Sequence, residues 1–444
     1  MEQDAVGLTI EDLSPVKKKL SFEIPWEEVK RELDSAYTLV GRKAKIKGFR
    51  PGKVPRKLLE MYHKEEAENE ALSNLISKRY GDAVREHDIP VVSQPDIDQK
   101  GIEENKNFSF TATVEIQPKV EPTDYIGISV TKEEIEVTDE DVSRRLDEMR
   151  EIYATLESVQ EPRETVTGDY IVIDFEVTVD GEVRKELSTE NYGIEIGSGR
   201  FIPGFEEQLT GLKRGDEKTV EMTFPDDYRP EELAGKQGFF RVTVKDIKEK
   251  KIPPLDDEFV KNFDTFETVE GLREAVRESM VGEAAKETEA KLRKSIIDAL
   301  LEKNEFQVPL TWVEQQTYQL MVDLQRRMMS SGMSREKSAE AVWRMRENLL
   351  PHAERMVKSG LLISRIAENE SIVVGDDELE KRIEEMTTGD GRTYDQLREI
   401  FQSEEATNRL IEEMLEDKAM AFLIEKAQIK VEKKSYADLK REAP

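Results

Sequence analysis

The hydrophobic period changes along this chain, and that change limits the folds open to it more than any single motif does. Phe108, Phe110, Ala112, Val114 and Ile116 alternate with polar residues without a miss. A two-residue period puts all five on one face of a strand. Leu20, Phe22 and Ile24 repeat the pattern upstream, whereas Val29, Leu33, Tyr37 and Val40 step by four and three. Leu72, Leu75, Ile76, Tyr80, Ala83 and Val84 keep the same longer period, which lays an apolar stripe along a helix. Residues 1–125 therefore read as an α+β domain. Residues 126–160 read as a linker with no core of its own, in which Ile128, Val130, Ile135 and Val137 suggest extended chain. Asp139 is placed there to cap a helix reaching towards Tyr153.

Residues 161–250 change character. Tyr170-Ile171-Val172-Ile173-Asp174-Phe175 reads as a strand, Asp180-Gly181 as a hairpin turn, and Val220, Met222, Phe224 and Phe240, Val242, Val244 as further alternating runs. From residue 251 to 444 the chain reads as all-helical. Leu272, Val276, Met280, Ala284, Leu292, Ile296 and Leu300 mark one stripe, which Pro309 breaks. Val313, Leu320, Met321, Leu324 and Met328 mark the next, and a third from Ala339 is expected to be interrupted at Pro351. Thr393 with Gln396 reads as a capping box. The expected architecture is multidomain α+β: an α+β N-terminal domain, a β-rich middle domain, and an all-α C-terminal domain with extended arms.

Composition narrows the chemistry. The chain has 444 residues, a formal charge of -29 and no cysteine, so disulfides and thiolate nucleophiles are excluded. No apolar run approaches the ~20 residues of a membrane span, and the start Met1-Glu2-Gln3-Asp4 is no signal peptide. A cytoplasmic protein without a membrane partner is the simplest expectation. His63, His87 and His352 lie far apart, and no metal, cofactor or nucleotide-binding motif is found. Gly197-Ser198-Gly199 lacks the spacing and the Lys-Ser/Thr of a phosphate loop.

Against that acidity, Arg42, Lys43, Lys45, Lys47, Arg50, Lys53, Arg56 and Lys57 follow one another without an acid between Gly41 and Leu59. Arg50-Pro51-Gly52-Lys53 reads as a type II turn, with proline fixing φ and glycine supplying the positive φ. Phe49 and Arg50 would stand on its stiff tip. Such an island attracts polyanions at long range, although the same residues would also make an ordinary solvated loop. Gly48-Phe49-Arg50-Pro51-Gly52-Lys53-Val54-Pro55 closely resembles the ribosome-docking signature of bacterial trigger factors. The resemblance implies a chaperone docked through Gly48, Phe49, Arg50, Pro51, Gly52 and Lys53 on the large ribosomal subunit near the tunnel exit. There it would shelter nascent and unfolded polypeptides without ATP.

The middle segment resembles FKBP-type prolyl isomerases. The carrying residues are Ile173-Asp174-Phe175, Asp180-Gly181, Phe201-Ile202-Pro203-Gly204-Phe205-Glu206, Gly211-Leu212, Gly215-Asp216, Phe224-Pro225-Asp226-Asp227-Tyr228 and Phe240. By that resemblance Phe175, Tyr192, Phe201, Ile202, Phe205, Tyr228 and Phe240 line a proline pocket, with Phe205 its floor and Tyr228 a rim hydroxyl. Isolated aromatics of this kind are usually plain core. Val183-Arg184-Lys185 departs from the family, which usually has an aromatic and then an acid there. One apolar wall and one acceptor are thereby lost, which would weaken catalysis.

Methionine, flexible and polarizable, suits surfaces that accept varied apolar partners. Met328, Met329 and Met333, beside Ser330-Ser331-Gly332, are candidate client contacts, although methionine also fills cores. The expected function is an ATP-independent ribosome-associated chaperone with prolyl isomerase activity. The sequence leaves open a homodimer off the ribosome. A prolyl isomerase with accessory peptide-binding arms is the alternative. A nucleic-acid binder is disfavoured by the overall acidity.

Overall fold

The computed structural model describes the chain except residues 1–2, 5–6, 48, 50–51, 203, 226–232, 264, 391–392 and 443–444. Strands β1 (Gln3–Asp4), β2 (Leu8–Ser14) and β3 (Lys17–Ile24) precede helices α1 (Trp26–Lys43), α2 (Arg56–Tyr62) and α3 (Lys64–Glu86). Then come β4 (Asp96–Gln99), β5 (Phe108–Glu115), β6 (Ser129–Glu136), α4 (Asp139–Ile152) and β7 (Thr155–Ser158). The middle holds β8 (Tyr170–Val179), β9 (Glu182–Glu195), α5 (Phe205–Gln208), β10 (Glu217–Thr223) and β11 (Gln237–Lys251). The helical part has α6 (Asp257–Val260), α7 (Val269–Lys303), α8 (Leu310–Ser330), α9 (Arg335–Asn369), α10 (Asp376–Asp390), α11 (Tyr394–Ile400) and α12 (Glu404–Lys426). The chain closes with β12 (Gln428–Ser435) and α13 (Tyr436–Glu442).

Two compact units form, neither continuous in sequence: residues 1–132 with 290–430, and residues 133–289 with 431–444. In the first, an antiparallel sheet runs β1-β2-β3-β5-β4. The alternation of β3 and β5 buries Leu20, Phe22, Ile24, Phe110 and Ala112 against Val29, Leu33 and Val40 of α1 and Leu72 and Leu75 of α3. Phe22 lies opposite Phe110 in the ladder, their rings stacked at 4.4 Å. A second core in this unit gathers Ile128 and Val130 with Ile296 and Leu300 of α7, Leu362 and Ile366 of α9, and Leu423 of α12.

In the second unit the antiparallel sheet runs β10-β11-β8-β9, with β7 on β11. Ile171, Ile173, Val177 and Val179 of β8 and Val242 and Val244 of β11 are wholly buried. Val142 and Leu146 of α4 pack with Phe259, Val260, Leu272, Met280, Tyr436 and Leu439 in a separate core.

Several expectations need correction. Residues 126–160 hold β6, α4 and β7, and their buried apolar residues are divided among cores shared with other parts of the chain, Ile128 and Val130 in one, Val142 and Leu146 in another, and Val159 beside a third. The cap of α4 is Thr138, not Asp139. Its hydroxyl accepts from the Asp141 amide, and Asp141 bonds back to Thr138. A hydroxyl at the cap with an acid three residues on satisfies two orphan amides, which an acid inside the helix cannot do. Helix α9 runs through Pro351 without a break. Pro351 and Glu347 are both exposed, so the carbonyl that loses its amide partner meets water. The end of the chain is not all helical, because β12 pairs with β6. Thr393 and Gln396 do form a reciprocal capping box.

Candidate functional site

The alternation of β8 and β11 brings aromatic rings to one end of the second unit's sheet. Phe175 centres them, with its ring 5.6 Å from Tyr192, 6.0 Å from Phe201, 6.5 Å from Phe205 and 6.1 Å from Phe240. Most of these contacts are edge-to-face, the arrangement that ring quadrupoles favour. Phe205 opens the short helix α5 after Gly204, whose φ of +86° is left-handed and suits glycine. The Phe205 ring is fully buried and lies 4.4 Å beneath Phe201. Ile202 packs at the margin of the same core, and Tyr192 reaches solvent with 38% of its surface. Six of the seven expected pocket residues therefore converge; the seventh, Tyr228, lies outside the described residues.

Glu206 holds this arrangement together, a role the sequence did not single out. Although buried, its carboxylate accepts from the Ser198 hydroxyl at 3.1 Å, the Gly199 amide at 2.9 Å and the Phe201 amide at 3.0 Å. Burial pushes its pKa up, but the bonds from Gly199, Phe201, Ser198 and Gly197 outweigh that and hold it below the usual carboxylate range. The Gly197-Ser198-Gly199 turn is thus an acid clasp, not a phosphate cradle. Asp169 plays a similar part at the base of β8. It accepts from both terminal nitrogens of Arg163, at 2.5 and 2.7 Å, and from the Val166 amide at 2.9 Å. Burial opposes its ionisation, and the Arg163 and Val166 bonds prevail, so its pKa is lowered.

The departing segment lies in β9, whose ladder with β8 is interrupted by a bulge. Val183 pairs with Thr178 and Arg184 with Val177, and the next partners are Thr189 and Phe175. Ser188 pins the bulge, donating to the Arg184 carbonyl at 2.9 Å and accepting from the Val177 amide at 3.0 Å. Leu187, which the sequence reading passed over, packs half-buried against the core and supplies an apolar side chain there. A leucine between Glu186 and Ser188 gave no periodic signal.

In the first unit, Phe49 is 42% exposed, and Arg42, Lys43, Lys45, Lys47, Lys53 and Lys57, on either side of it in sequence, are exposed as well. Gly52 has φ +82° and its amide donates to the Gly41 carbonyl at 2.9 Å. Gly48, Arg50 and Pro51 lie outside the described residues, and so therefore does half of the expected Arg50-Pro51-Gly52-Lys53 turn. Arg56 belongs to the fold more than to the cationic surface. Its guanidinium lies 3.4 Å over the Tyr37 ring and bonds Glu60 at 2.8 Å. At the α8–α9 turn Met329 and Met333 are exposed, at 44% and 40%, and Met328 is half-buried. Among the described residues no cluster of His, Cys, Asp or Glu could hold a metal, and no helix is long and apolar enough to cross a membrane.

Comparison with known proteins bears on both regions. Residues 6–149 match the family described as bacterial trigger factor protein, and residues 268–425 match its C-terminus. Trigger factor from Syntrophus aciditrophicus is 45% identical over 387 residues, 87% of each chain. The chain belongs to the trigger factor family. Trigger factor from Geobacter metallireducens is 37% identical over 422 residues, 95% of this chain and 98% of that one. Residues 161–254 of this trigger factor match FKBP-type peptidyl-prolyl cis-trans isomerase, the segment that carries the aromatic cluster. Trigger factors are ribosome-associated chaperones with prolyl isomerase activity, and this chain is one of them.

Proposed function

We propose that Phe49, with Arg50 and Lys53, is the contact through which the chain docks on the large ribosomal subunit near the tunnel exit, and that Phe175, Tyr192, Phe201, Ile202, Phe205, Tyr228 and Phe240 form the proline pocket. An exposed phenylalanine flanked in sequence by six exposed cations, on a chain of charge -29, is the observation that carries the docking reading. Phosphate-rich RNA attracts such a patch at long range, and the aromatic ring adds a short-range apolar anchor. Gly52, whose φ is +82°, supplies the left-handed residue that a turn there needs, and Gly48 and Pro51 join the proposed contact through the resemblance alone. Replacing Phe49, Arg50 and Lys53 with alanine abolishes ribosome co-sedimentation on this reading, and unchanged co-sedimentation removes the assignment.

Isomerisation makes and breaks no bond. The X-Pro amide must twist over a barrier of about 18–20 kcal/mol, and the twisted form has lost its resonance. An apolar pocket favours it by stripping water from the amide. Phe201 and Phe205, 4.4 Å apart, would supply adjacent apolar faces to the proline ring. Val183-Arg184-Lys185 in place of an aromatic and an acid makes the enzyme a weak one, with Leu187 restoring part of the apolar wall.

Met328, Met329 and Met333 contact clients, and a polar triple variant tests this by losing suppression of aggregation. The working division is docking by residues 1–125, isomerisation by 161–250 and client holding by 251–444. The family resemblance supports a cytoplasmic location and a homodimer off the ribosome. Sedimentation velocity of the free chain tests the latter.

A further inference from the structure

Arg184 pairs directly with Val177 across β8 and β9, so its side chain leaves the sheet on the same face as Val177. Val177 is fully buried, and Phe175, on that face too, is the centre of the aromatic cluster. Two residues along a strand are about 7 Å, so the backbone of Arg184, opposite Val177, lies about that far along the sheet from the level of Phe175. Its Nε is buried and has no hydrogen-bond partner among the described residues. Its one ion-pair partner there is Glu186, with Nη1 and Oε1 3.9 Å apart. Glu206, the buried acid next to Phe205, is engaged by Ser198, Gly199 and Phe201. The bulge that fixes Arg184 is itself pinned by Ser188, so this donor is held in place.

Nε itself is closed to solvent, but the Arg184 side chain keeps 33% of its surface exposed and makes only a long ion pair, so its charge remains available to a ligand that brings an acceptor. A guanidinium takes a carboxylate best, through its planar fork. We propose that Arg184 makes this isomerase select X-Pro segments that carry an aspartate or glutamate next to the proline. The proposal rests on the reading of the aromatic cluster as the proline pocket.

The test uses the full chain and three peptides identical except for Glu, Gln or Lys beside the proline, with isomerisation rates and fluorescence-detected binding measured for each. The Glu-to-Gln ratio in kcat/KM is expected to fall roughly three- to tenfold from wild type to Arg184→Ala, the range of a charge-assisted bond partly screened by water. The change sits in KM and shrinks as salt is added. Arg184→Lys keeps part of the ratio and Arg184→Glu inverts it in favour of Lys. Arg184→Met, which keeps the aliphatic stem, behaves as Ala does if charge and not packing is responsible. The acidity of the whole chain affects every variant alike and cancels in the comparison. A ratio unmoved by Arg184→Ala and Arg184→Met, or one that moves in kcat alone, overturns the proposal. If Phe205→Ala leaves isomerisation of all three peptides intact, the pocket reading falls and the proposal with it. If Phe205→Ala is inactive but the ratio ignores Arg184, this proposal fails alone.

Discussion

Replacing Glu206 with alanine removes the shared acceptor of one hydroxyl and two backbone amides. Hydrogen bonds to a charged group contribute about 1.5–3 kcal/mol each. The Ser198 hydroxyl can turn to another partner, and Gly199 is exposed, so water replaces part of its bond. The Phe201 amide is left with least compensation. A local loss of about 3 kcal/mol follows, equivalent to roughly a hundredfold easier opening of the 197–201 loop. Glu206→Gln keeps one carbonyl acceptor and costs about 1 kcal/mol. Amide hydrogen exchange on the full chain reads this directly, in peptides covering residues 197–205. The effect is confined to that stretch, because multidomain unfolding is not a single transition. Since the folded pKa of Glu206 is depressed, its contribution is complete above the unfolded value of about 4.3. It is lost as pH falls below that, through the folded value. Wild-type protection, corrected for intrinsic rates, therefore falls in that acid window, and Glu206→Gln lacks this step. Equal exchange in wild type and Glu206→Ala, or identical behaviour of Gln and Ala, refutes the reasoning.

The other predictions concern separate parts of the molecule. Phe110→Ala empties a buried site stacked on Phe22 and should cost about 3–5 kcal/mol, seen as an earlier urea transition in probes of the first unit. Asp169→Asn leaves the Arg163 guanidinium without its carboxylate and should destabilise the second unit by roughly 3 kcal/mol. The Asp169 pKa is also lowered, so the penalty is largest at neutral pH and narrows as pH falls through the folded value. Gly52→Ala meets no neighbouring atom but imposes φ +82° on a residue with a Cβ, costing about 1–2 kcal/mol. Ribosome affinity should drop several-fold with the rest of the fold unchanged by circular dichroism. Arg56→Ala, by contrast, should lower stability through Tyr37 and Glu60 more than it lowers ribosome affinity.

Much of the fold was readable because strands β3, β5 and β8 bury alternate residues, and that alternation is written in the chain. The aromatic cluster was readable for a different reason: the resemblance to FKBP-type isomerases implied it, with Phe175, Phe201, Phe205 and Phe240 in the motifs that carry the resemblance. Glu206 was not readable, because its partners are mainly backbone amides, which every sequence possesses. Arg56 counted as one more surface cation until Tyr37 was found beneath it, since cation–ring contacts span turns of different elements. Strand β12 gave little signal: Lys430, Glu432, Lys433 and Lys434 crowd both of its faces with charge. Helix α9 was expected to stop at Pro351 because a lost hydrogen bond is visible in sequence, while the solvent that compensates it is not.

The discontinuity of the first unit has a consequence for how the molecule is made. Ile128 and Val130 share a core with Leu423, and at about 5–20 residues per second roughly 15–60 s of synthesis separate those partners. The N-terminal sheet can close early, but the half-finished product carries greasy residues with nothing yet to cover them. A protein that guards unfinished polypeptides thus presents, during its own birth, the kind of uncovered surface that copies already made are built to hold.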